Sequence, residues 1–243
     1  MGDEQGLRRI PPDHWLELIE DPNAWTPPSP LPGPVATERL LIRPYVPADA
    51  PALFEAVRSS LDRILPWMVW AMTDHQQESD SLYFIERSRR AAESPDCIDF
   101  PLGIFDRSSG RYLGGCGFHR IVRGLLEAEV GYWIRGDAQG QGYCTEAVGA
   151  LMSSGFMPQD RGGWGFRRIV IFNAADNPAS RRVCEKLRLR LERRERQSRY
   201  VGALQGQQPL GYLDHLGYGV LQDEWDFDSD RAREGIGWGD SAP

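Results

Sequence analysis

The chain of 243 residues carries the stretch Gln139-Gly140-Gln141-Gly142-Tyr143-Cys144 between a strand-like run and a helical pattern. The run before it spans Leu126 to Ile134. The pattern after it places on one helical face the apolar residues Ala147, Val148, Leu151, Met152 and Phe156. Glycines at such a turn permit left-handed backbone angles and leave backbone N–H groups accessible. Because those groups and the helix dipole attract anions, the stretch predicts a site for a phosphorylated cofactor. The alternative is a plain turn without a ligand.

Neither of the two common nucleotide-phosphate motifs is present. The only lysine is Lys186, no Gly-x-x-x-x-Gly-Lys-Ser/Thr segment exists, and the stretch lacks the third glycine of a dinucleotide motif. The stretch does resemble Gln-x-x-Gly-x-Gly/Ala, the acetyl-CoA pyrophosphate motif of the GNAT acyltransferases. Cys144 stands at its final small position, which is a mild departure.

Five further segments resemble the same family, in order and at compatible spacing. They are Thr37–Arg43, Leu65–Met68, Phe100–Ile104, Leu113–His119 and Asn177–Leu187. The last reads Asn-x-x-Ser followed by Glu-Lys-Leu, which resembles the second cofactor motif. The middle three are similar to the RimJ/RimL-like branch, which acetylates protein N-termini, among them those of ribosomal proteins. The resemblance covers about Thr37 to Phe227 and implies an acetyl-CoA-dependent N-acetyltransferase.

The mixture of strand and helix patterns indicates an α/β or α+β sheet protein. The resemblance implies the GNAT arrangement, a mixed, mostly antiparallel sheet of about seven strands with splayed central strands and about four flanking helices. Strands are predicted at 38–45, 98–106, 111–120, 126–135, 167–173, 189–199 and 214–221. Helices are predicted at 49–60 (with Asp49 as N-cap), 78–93, 143–157 and 178–187.

Three regions are expected along the chain. Residues 1–36 form an N-terminal arm with a proline-rich linker, residues 37–227 form the acetyltransferase domain, and residues 228–243 form a disordered tail. The sequence leaves open whether the arm packs on the domain or on a partner.

Composition limits the partners. The net charge of −7 argues against general nucleic-acid binding. Residues 161–199 nevertheless hold eleven arginines and one lysine against four acids, beside the second cofactor motif where a polyanionic CoA would lie. The alternative for this basic segment is a solvated face.

The remaining composition favours a cytoplasmic enzyme without metal or membrane partner. No stretch approaches a membrane span and the N-terminus lacks an apolar signal core. The four cysteines are scattered and the histidines lack metal-ligand spacing. Monomer and homodimer both remain open.

The strand at 126–135 alternates, so that Glu129 points away from the apolar face. The resemblance makes Glu129 the candidate general base, acting through water; the alternative is a solvated strand carboxylate. It also implies that a strand N–H near Val130 stabilises the tetrahedral oxyanion. Ser180 would contact the CoA sulfur and Asn177 the pantetheine arm, while Asn177 can also cap the helix that begins with Pro178.

Two further positions depart from the family pattern. Cys184 stands where many GNAT enzymes carry a tyrosine acid, and we expect it to be a buried apolar filler. Arg188 stands where a glycine usually ends the helix. Whether Ser180 or water protonates the CoA thiolate is left open.

The full set of cofactor contacts implied by the resemblance is Val130, Tyr132, Trp133, Ile134, Gln139, Gly140, Gln141, Gly142, Tyr143, Cys144, Thr145, Asn177 and Ser180. The candidates for acceptor contacts are Trp67, Trp70 and His119. The alternative is that the two tryptophans are core residues and that His119 has a structural role.

The chemistry favours an acceptor amine of low pKa. Deprotonation at pH 7 costs about 1.2 kcal/mol for an α-amine and about 4.6 kcal/mol for a lysine. One carboxylate base suffices for the former. The leading prediction is therefore transfer to a protein or peptide N-terminus. The alternatives are a small amine, such as an antibiotic or polyamine, and a non-catalytic acyl-CoA-binding module.

Overall fold

One eight-stranded sheet is the frame of the computed structural model, which describes residues 24–201 and 211–227. Its strands are β1 (Val35–Ala36), β2 (Leu40–Pro44), β3 (Phe100–Asp106), β4 (Tyr112–Val122), β5 (Glu127–Ile134), β6 (Arg168–Ala174), β7 (Arg190–Val201) and β8 (Gly211–Leu221). Their spatial order is β1-β2-β3-β4-β5-β6-β8-β7. Every neighbouring pair is antiparallel except β5 with β6.

Helices cover both faces of the sheet. Within the described ranges they are α1 (Ala50–Ser59), α2 (Leu61–Ile64), α3 (Glu78–Ala92), α4 (Tyr143–Phe156) and α5 (Pro178–Lys186). A core containing Phe118 and Leu151 lies beneath α4 and α5, and a second core containing Leu53 and Ile85 lies beneath α1 and α3. The predicted fold class, a mixed and mostly antiparallel sheet with flanking helices, is confirmed.

The sheet opens at its centre. The parallel pairing of β5 with β6 consists of Glu127↔Arg168, Ala128↔Ile169 and Glu129↔Val170. From Val130 to Ile134, β5 continues without a partner in β6. The splayed central strands expected from the resemblance are therefore present, and backbone groups of β5 face a gap where a ligand can pair with them.

The two elements that the sequence did not predict are short. Strand β1 pairs only two residues with β2, Val35↔Ile42 and Ala36↔Leu41. Helix α2 is a single turn. Asp49 does precede α1, but its carboxylate accepts hydrogen bonds from the Val46 N–H at 2.8 Å and from the Arg43 guanidinium at 2.7 and 2.8 Å. It therefore holds the turn before the helix and does not cap α1 with its side chain.

The described part of the arm packs on the domain. The sequence had left open whether the arm packs there or on a partner. Trp25 is 3% exposed, donates its Nε1 hydrogen to the Trp164 carbonyl at 2.7 Å, and stacks on Phe166 with 5.1 Å between ring centroids. Leu31 and Val35 pack against the same core. The predicted tail at 228–243 and the arm before residue 24 lie outside the described residues.

The helix that carries the second cofactor motif ends on a left-handed residue. Arg188 has φ +58°, and the Leu189 N–H bonds back to the Cys184 carbonyl at 3.0 Å. An arginine therefore takes the backbone conformation that glycine usually supplies at this position.

Candidate active site

The glycine turn begins α4 in the predicted geometry. Gly140 and Gly142 have φ +77° and +85°, and Gly142 is the N-cap of the helix. A Cβ at Gly140 would meet nothing within 4 Å, so the turn is open to solvent on that side. The first N–H groups of a helix have no acceptor within the helix. Those of Tyr143, Cys144 and Thr145 therefore have no partner within the helix, and the predicted contact with a pyrophosphate stays a prediction.

An ion pair from the N-terminal side of the chain anchors this turn. Glu146 is 6% exposed and accepts hydrogen bonds from Thr37 Oγ1 at 2.5 Å and Arg39 Nε at 2.7 Å. Arg39 also donates to the Gln141 carbonyl at 3.1 Å, and its guanidinium lies 4.6 Å from the centre of the Tyr143 ring. Sequence reasoning placed Thr37 and Arg39 in the first-strand motif and missed their contact with the cofactor turn.

The glutamines of the turn bind the turn itself. Gln139 donates from Nε2 to the Ile134 carbonyl at 3.1 Å, and Gln141 donates to the Asp137 carbonyl at 3.4 Å. Because both side chains hold the loop in shape, these two glutamines would contact a cofactor through their backbone N–H groups.

The second cofactor motif lies at the opposite side of the gap. Asn177 Oδ1 accepts the Ser180 N–H at 3.1 Å, so that Asn177 caps α5 and Pro178 occupies its first turn, as predicted. The Ser180 hydroxyl lies 2.9 Å from the Tyr132 hydroxyl of β5. This contact joins the two elements that flank the gap.

Cys184 is buried as predicted, but its neighbours are polar. Its Sγ lies 3.8 Å from the Tyr132 hydroxyl and 3.5 Å from Nδ2 of Asn173 on β6. Burial raises the pKa of the Cys184 thiol to about 11 and raises that of Tyr132 well above the usual tyrosine range, so both are protonated at neutral pH. The site therefore has a tyrosine hydroxyl beside position 184, supplied by β5 and not by the helix. The sequence identified Tyr132 only as a cofactor contact and did not place it beside Cys184.

One polar atom at this end of the gap lacks a partner. Oδ1 of Asn173 is buried without a hydrogen bond to any residue that the structure describes. Buried acceptors of this kind are rare in native proteins and call for an explanation. A ligand that carries N–H or S–H donors would satisfy it.

On the other sheet face, Glu129 has the orientation predicted from the alternation. Its side chain is 14% exposed, and Arg120 Nε lies 3.3 Å from its Oε2. Burial raises the pKa of the Glu129 carboxyl above its usual range, while the charges of Arg120 and His119 oppose that rise. A carboxylate with a raised pKa next to the opening of the gap has the properties of a general base.

His119 is the cross-strand partner of Glu129 and is held in place on three sides. Its Nδ1 bonds to Oδ1 of Asp99, which precedes β3. A Cβ at Gly131 would lie 2.9 Å from His119 Cδ2, and a Cβ at Gly117 would lie 3.1 Å from Nε2. The imidazole thus lies against two glycines that leave room for it.

The predicted acceptor aromatics lie on both sides of the gap. Trp70 packs edge-on against Trp133 of β5 with 6.1 Å between centroids. Trp67 packs against Ala174 and Leu213 of β6 and β8, and its carbonyl accepts a hydrogen bond from Arg199 at 2.5 Å. The loop between α2 and α3 therefore reaches both halves of the sheet. Trp133 directs its side chain to this face, so its expected cofactor contact is limited to its backbone.

Part of the basic segment at 161–199 is engaged in ion pairs. Arg168 contacts Glu127 at 2.6 Å and Glu192 at 2.5 Å, and Arg194 contacts Asp214 at 2.8 Å. These pairs brace β6, β7 and β8 and reduce the positive charge that the segment presents to solvent. The described residues contain no group of three or more potential metal ligands, and none of their helices is long and apolar enough to cross a membrane.

Comparison with known proteins gives one family. The profile of the acetyltransferase (GNAT) domain matches residues 39–190. YdaF of Bacillus subtilis (strain 168), whose name assigns it provisionally to ribosomal N-acetylation, is 26% identical over 189 residues, which cover 78% of this chain and 94% of YdaF.

Two solved structures share the fold. RimL, a ribosomal L7/L12 α-N-protein acetyltransferase solved with coenzyme A, matches with a TM-score of 0.64 and 22% identity, covering 75% of this chain and 94% of RimL. RimJ of Mycobacterium smegmatis, solved with a CoA disulfide, matches with a TM-score of 0.64 and 19% identity, covering 84% and 91%.

Proposed function

The chain belongs to the GNAT acetyltransferase family, and from that premise we propose that it transfers the acetyl group of acetyl-CoA to a primary amine by direct attack in a ternary complex. The observation that carries the proposal is the gap between β5 and β6, which runs from Glu129 to the N-terminus of α4. The gap offers unpaired strand backbone for an extended chain and ends on helix N–H groups suited to a pyrophosphate.

Each part of acetyl-CoA has a matching set of residues. The N–H groups between Gln141 and Thr145 suit the pyrophosphate, and those backbone groups of Val130–Ile134 that face the gap suit the amides of the pantetheine arm. At the thiol end, the hydroxyls of Ser180 and Tyr132 and the open acceptor of Asn173 suit the sulfur and its neighbours. Acetyl-CoA itself supplies the activated thioester.

The reaction needs one base, one oxyanion donor and one acid. Glu129 takes a proton from the attacking amine, directly or through water, as the N–C bond forms. A backbone N–H near Val130 stabilises the oxyanion of the tetrahedral intermediate. When the C–S bond breaks, the thiolate takes a proton from the Ser180 hydroxyl or from water. Tyr132, which is protonated and lies 2.9 Å from Ser180 Oγ, favours the hydroxyl route because it can return a proton to Ser180 as that proton leaves, and water then reprotonates Tyr132.

The acceptor is proposed to be a protein or peptide N-terminus. An α-amine needs about 3.4 kcal/mol less for deprotonation at pH 7 than a lysine amine does, and a single carboxylate base fits that smaller need. The names of YdaF and RimL, which refer to ribosomal acetylation, support the same class.

Acetyl-CoA titration of a Gly142→Glu variant tests the cofactor site. A carboxylate on the turn would oppose the pyrophosphate, and we expect at least about a tenfold loss of affinity by calorimetry. Gly110→Glu is the control for a glutamate on a left-handed glycine: Gly110 has φ +71° and open space in the β3–β4 turn, whereas a Cβ at Gly142 would lie 3.5 Å from Arg39 Nη2. Equal loss in both variants would indicate general damage, and unchanged affinity in Gly142→Glu would contradict the placement of the pyrophosphate.

The acceptor is tested on the parent protein by mass spectrometry. The panel contains peptides with free N-termini, the same peptides with blocked N-termini and an internal lysine, and spermidine. Acetylation confined to free α-amines supports the proposal. Acetylation of spermidine alone would assign the enzyme to small amines, and cofactor binding without any turnover would favour a non-catalytic module.

A further inference from the structure

Three side chains form a row across adjacent strands on the acceptor face of the sheet. Glu129 lies on β5, His119 is its register partner on β4, and Asp99, which binds the His119 ring, immediately precedes β3. Side chains of directly paired residues share a face, with Cβ atoms about 5 Å apart. The carboxylate of Glu129 and the imidazole of His119 therefore share this face of the sheet, without a direct hydrogen bond between them: Glu129 contacts Arg120, and His119 contacts Asp99.

Exposure increases along this row. The side chain of Glu129 is 14% exposed, that of His119 is 32% exposed, and that of Asp99 is 64% exposed. The row therefore leads from the opening of the cofactor gap to bulk solvent. A largely buried carboxyl that collects a proton in every turnover has to release it before the next cycle, and this row offers a route.

A bulge in β4 shapes the surroundings of the row. The register of β4 against β5 shifts between His119 and Val122, and Arg120 has φ +45°. Consecutive strand residues normally point to opposite faces. Here Arg120 turns back to contact Glu129, so that both His119 and Arg120 face the same carboxylate. Bulges that redirect a side chain in this way are common next to active sites.

We propose that His119, oriented by Asp99, carries the proton of each turnover from Glu129 to solvent. The proposal rests on the proposed role of Glu129 as the base. The N–H bond of the acceptor amine breaks and an O–H bond forms on Glu129. That proton then passes through a bridging water to Nε2 of His119, while the Nδ1–H continues to donate to the Asp99 carboxylate. The imidazolium loses its proton to water, which returns the site to its starting state.

The charges around His119 suit this exchange. Two carboxylates act on the ring: Asp99 bonds to Nδ1, and Glu129 lies across the strand boundary. Arg120 is the opposing charge, and it also acts on Arg199 of β7 and His215 of β8. Because His119 acts through Glu129, it is a proton-relay residue and not a group that contacts the reacting atoms.

The test is chemical rescue of a His119→Ala variant. At low buffer concentration we expect kcat to fall by at least about tenfold with little change in KM, since proton release becomes limiting. Added imidazole should restore kcat in a concentration-dependent way, and a chemically unrelated buffer of similar pKa should restore part of it. Asp99→Asn should lower kcat less, because the amide still accepts the Nδ1 hydrogen without stabilising the cation.

His215→Ala is the matched control, since it removes another partly buried histidine of the same sheet. Its kcat should not respond to imidazole. Unchanged kcat in His119→Ala, or a loss that no buffer restores, would overturn the relay. Glu129→Gln separates the two proposals. Normal turnover in that variant would contradict the assignment of Glu129 as the base. An inactive Glu129→Gln together with a fully active His119→Ala would contradict the relay alone.

Discussion

At the scale of single residues, the site holds a carboxyl in surroundings that oppose its charge. Glu129 is largely buried, and burial raises its pKa despite the neighbouring Arg120. A group of this kind makes the folded state less stable at the pH at which the enzyme works, since ionisation is easier in the unfolded chain. Sites that keep such groups commonly do so for function.

Glu129→Gln is therefore expected to lose turnover and gain stability. In the parent, the pKa of Glu129 is higher in the folded state than the value of about 4.3 in the unfolded chain. The stability of the parent relative to the variant therefore falls as pH rises from the unfolded pKa to the folded pKa, and is constant above that. Urea unfolding at acidic and neutral pH measures the difference, with the variant expected to be favoured at neutral pH.

Glu127→Gln provides the contrast on the same strand. Its carboxylate is in a 2.6 Å ion pair with Arg168, so its loss should reduce stability. If Glu129→Gln were the less stable of the two variants at neutral pH, the proposed cost of ionising Glu129 would be wrong.

At the scale of elements, α5 shows how the chain tolerates a departure from the family pattern. Arg188 adopts the left-handed conformation at the end of the helix, with φ +58°. A residue other than glycine costs about 1–2 kcal/mol in the left-handed region of backbone angles. Glycine avoids this cost but loses more conformational entropy on folding, so the net gain in stability is smaller. The helix is nevertheless completed by the hydrogen bond from the Leu189 N–H to the Cys184 carbonyl.

Arg188→Gly is expected to raise the free energy of unfolding by about 0.5–1 kcal/mol, because it relieves the left-handed backbone. Arg182→Gly, in the exposed interior of the same helix, should lower it by about 1 kcal/mol. Denaturant unfolding of both variants measures the two effects. A loss of stability in both variants would mean that the contacts of the Arg188 side chain stabilise the fold by more than its left-handed backbone destabilises it.

At the scale of the whole molecule, the described part of the arm belongs to the core. Trp25 comes early in the chain, yet it is buried, stacks on Phe166 and bonds to the Trp164 carbonyl. The contact joins the start of the described chain to the segment between α4 and β6. The arm thus contributes to the stability of the domain that carries the site.

Trp25→Ala should lower the free energy of unfolding by about 3–5 kcal/mol, as for other buried aromatics. Trp25→Phe keeps ring packing and loses the Nε1 hydrogen bond, so its loss should be smaller, about 1–3 kcal/mol. Thermal and denaturant unfolding of both variants, with acetyl-CoA affinity measured in parallel, checks this. An Ala variant as stable as the parent would show that the arm is only superficially attached.

The parts of this structure that the sequence predicted are those with a local signal. The alternation of β5 predicted which way Glu129 points, and Asn177-Pro178 predicted the start of α5. The two-residue β1 and the one-turn α2 were missed because elements so short have no measurable period.

The missed parts of the site depend on contacts between distant segments. Arg39 and Glu146 are separated by 107 positions, and His119 and Asp99 by 20. No pattern within a short stretch of sequence links residues so far apart. Tyr132 was identified from the sequence only as a cofactor contact. Its position beside Cys184 follows from the packing of α5 on β5.

The interruption between β5 and β6 has a consequence for ligand choice. An unpaired strand is ordinarily a hazard when it lies at the rim of a sheet, where any passing chain can attach to it. Here the unpaired stretch of β5 lies in the interior of the sheet, with β4 on one side and the diverging β6 on the other. A thin, unbranched chain that carries a few amides, as pantetheine does, can therefore run along β5 and supply the hydrogen-bond partners that β6 does not.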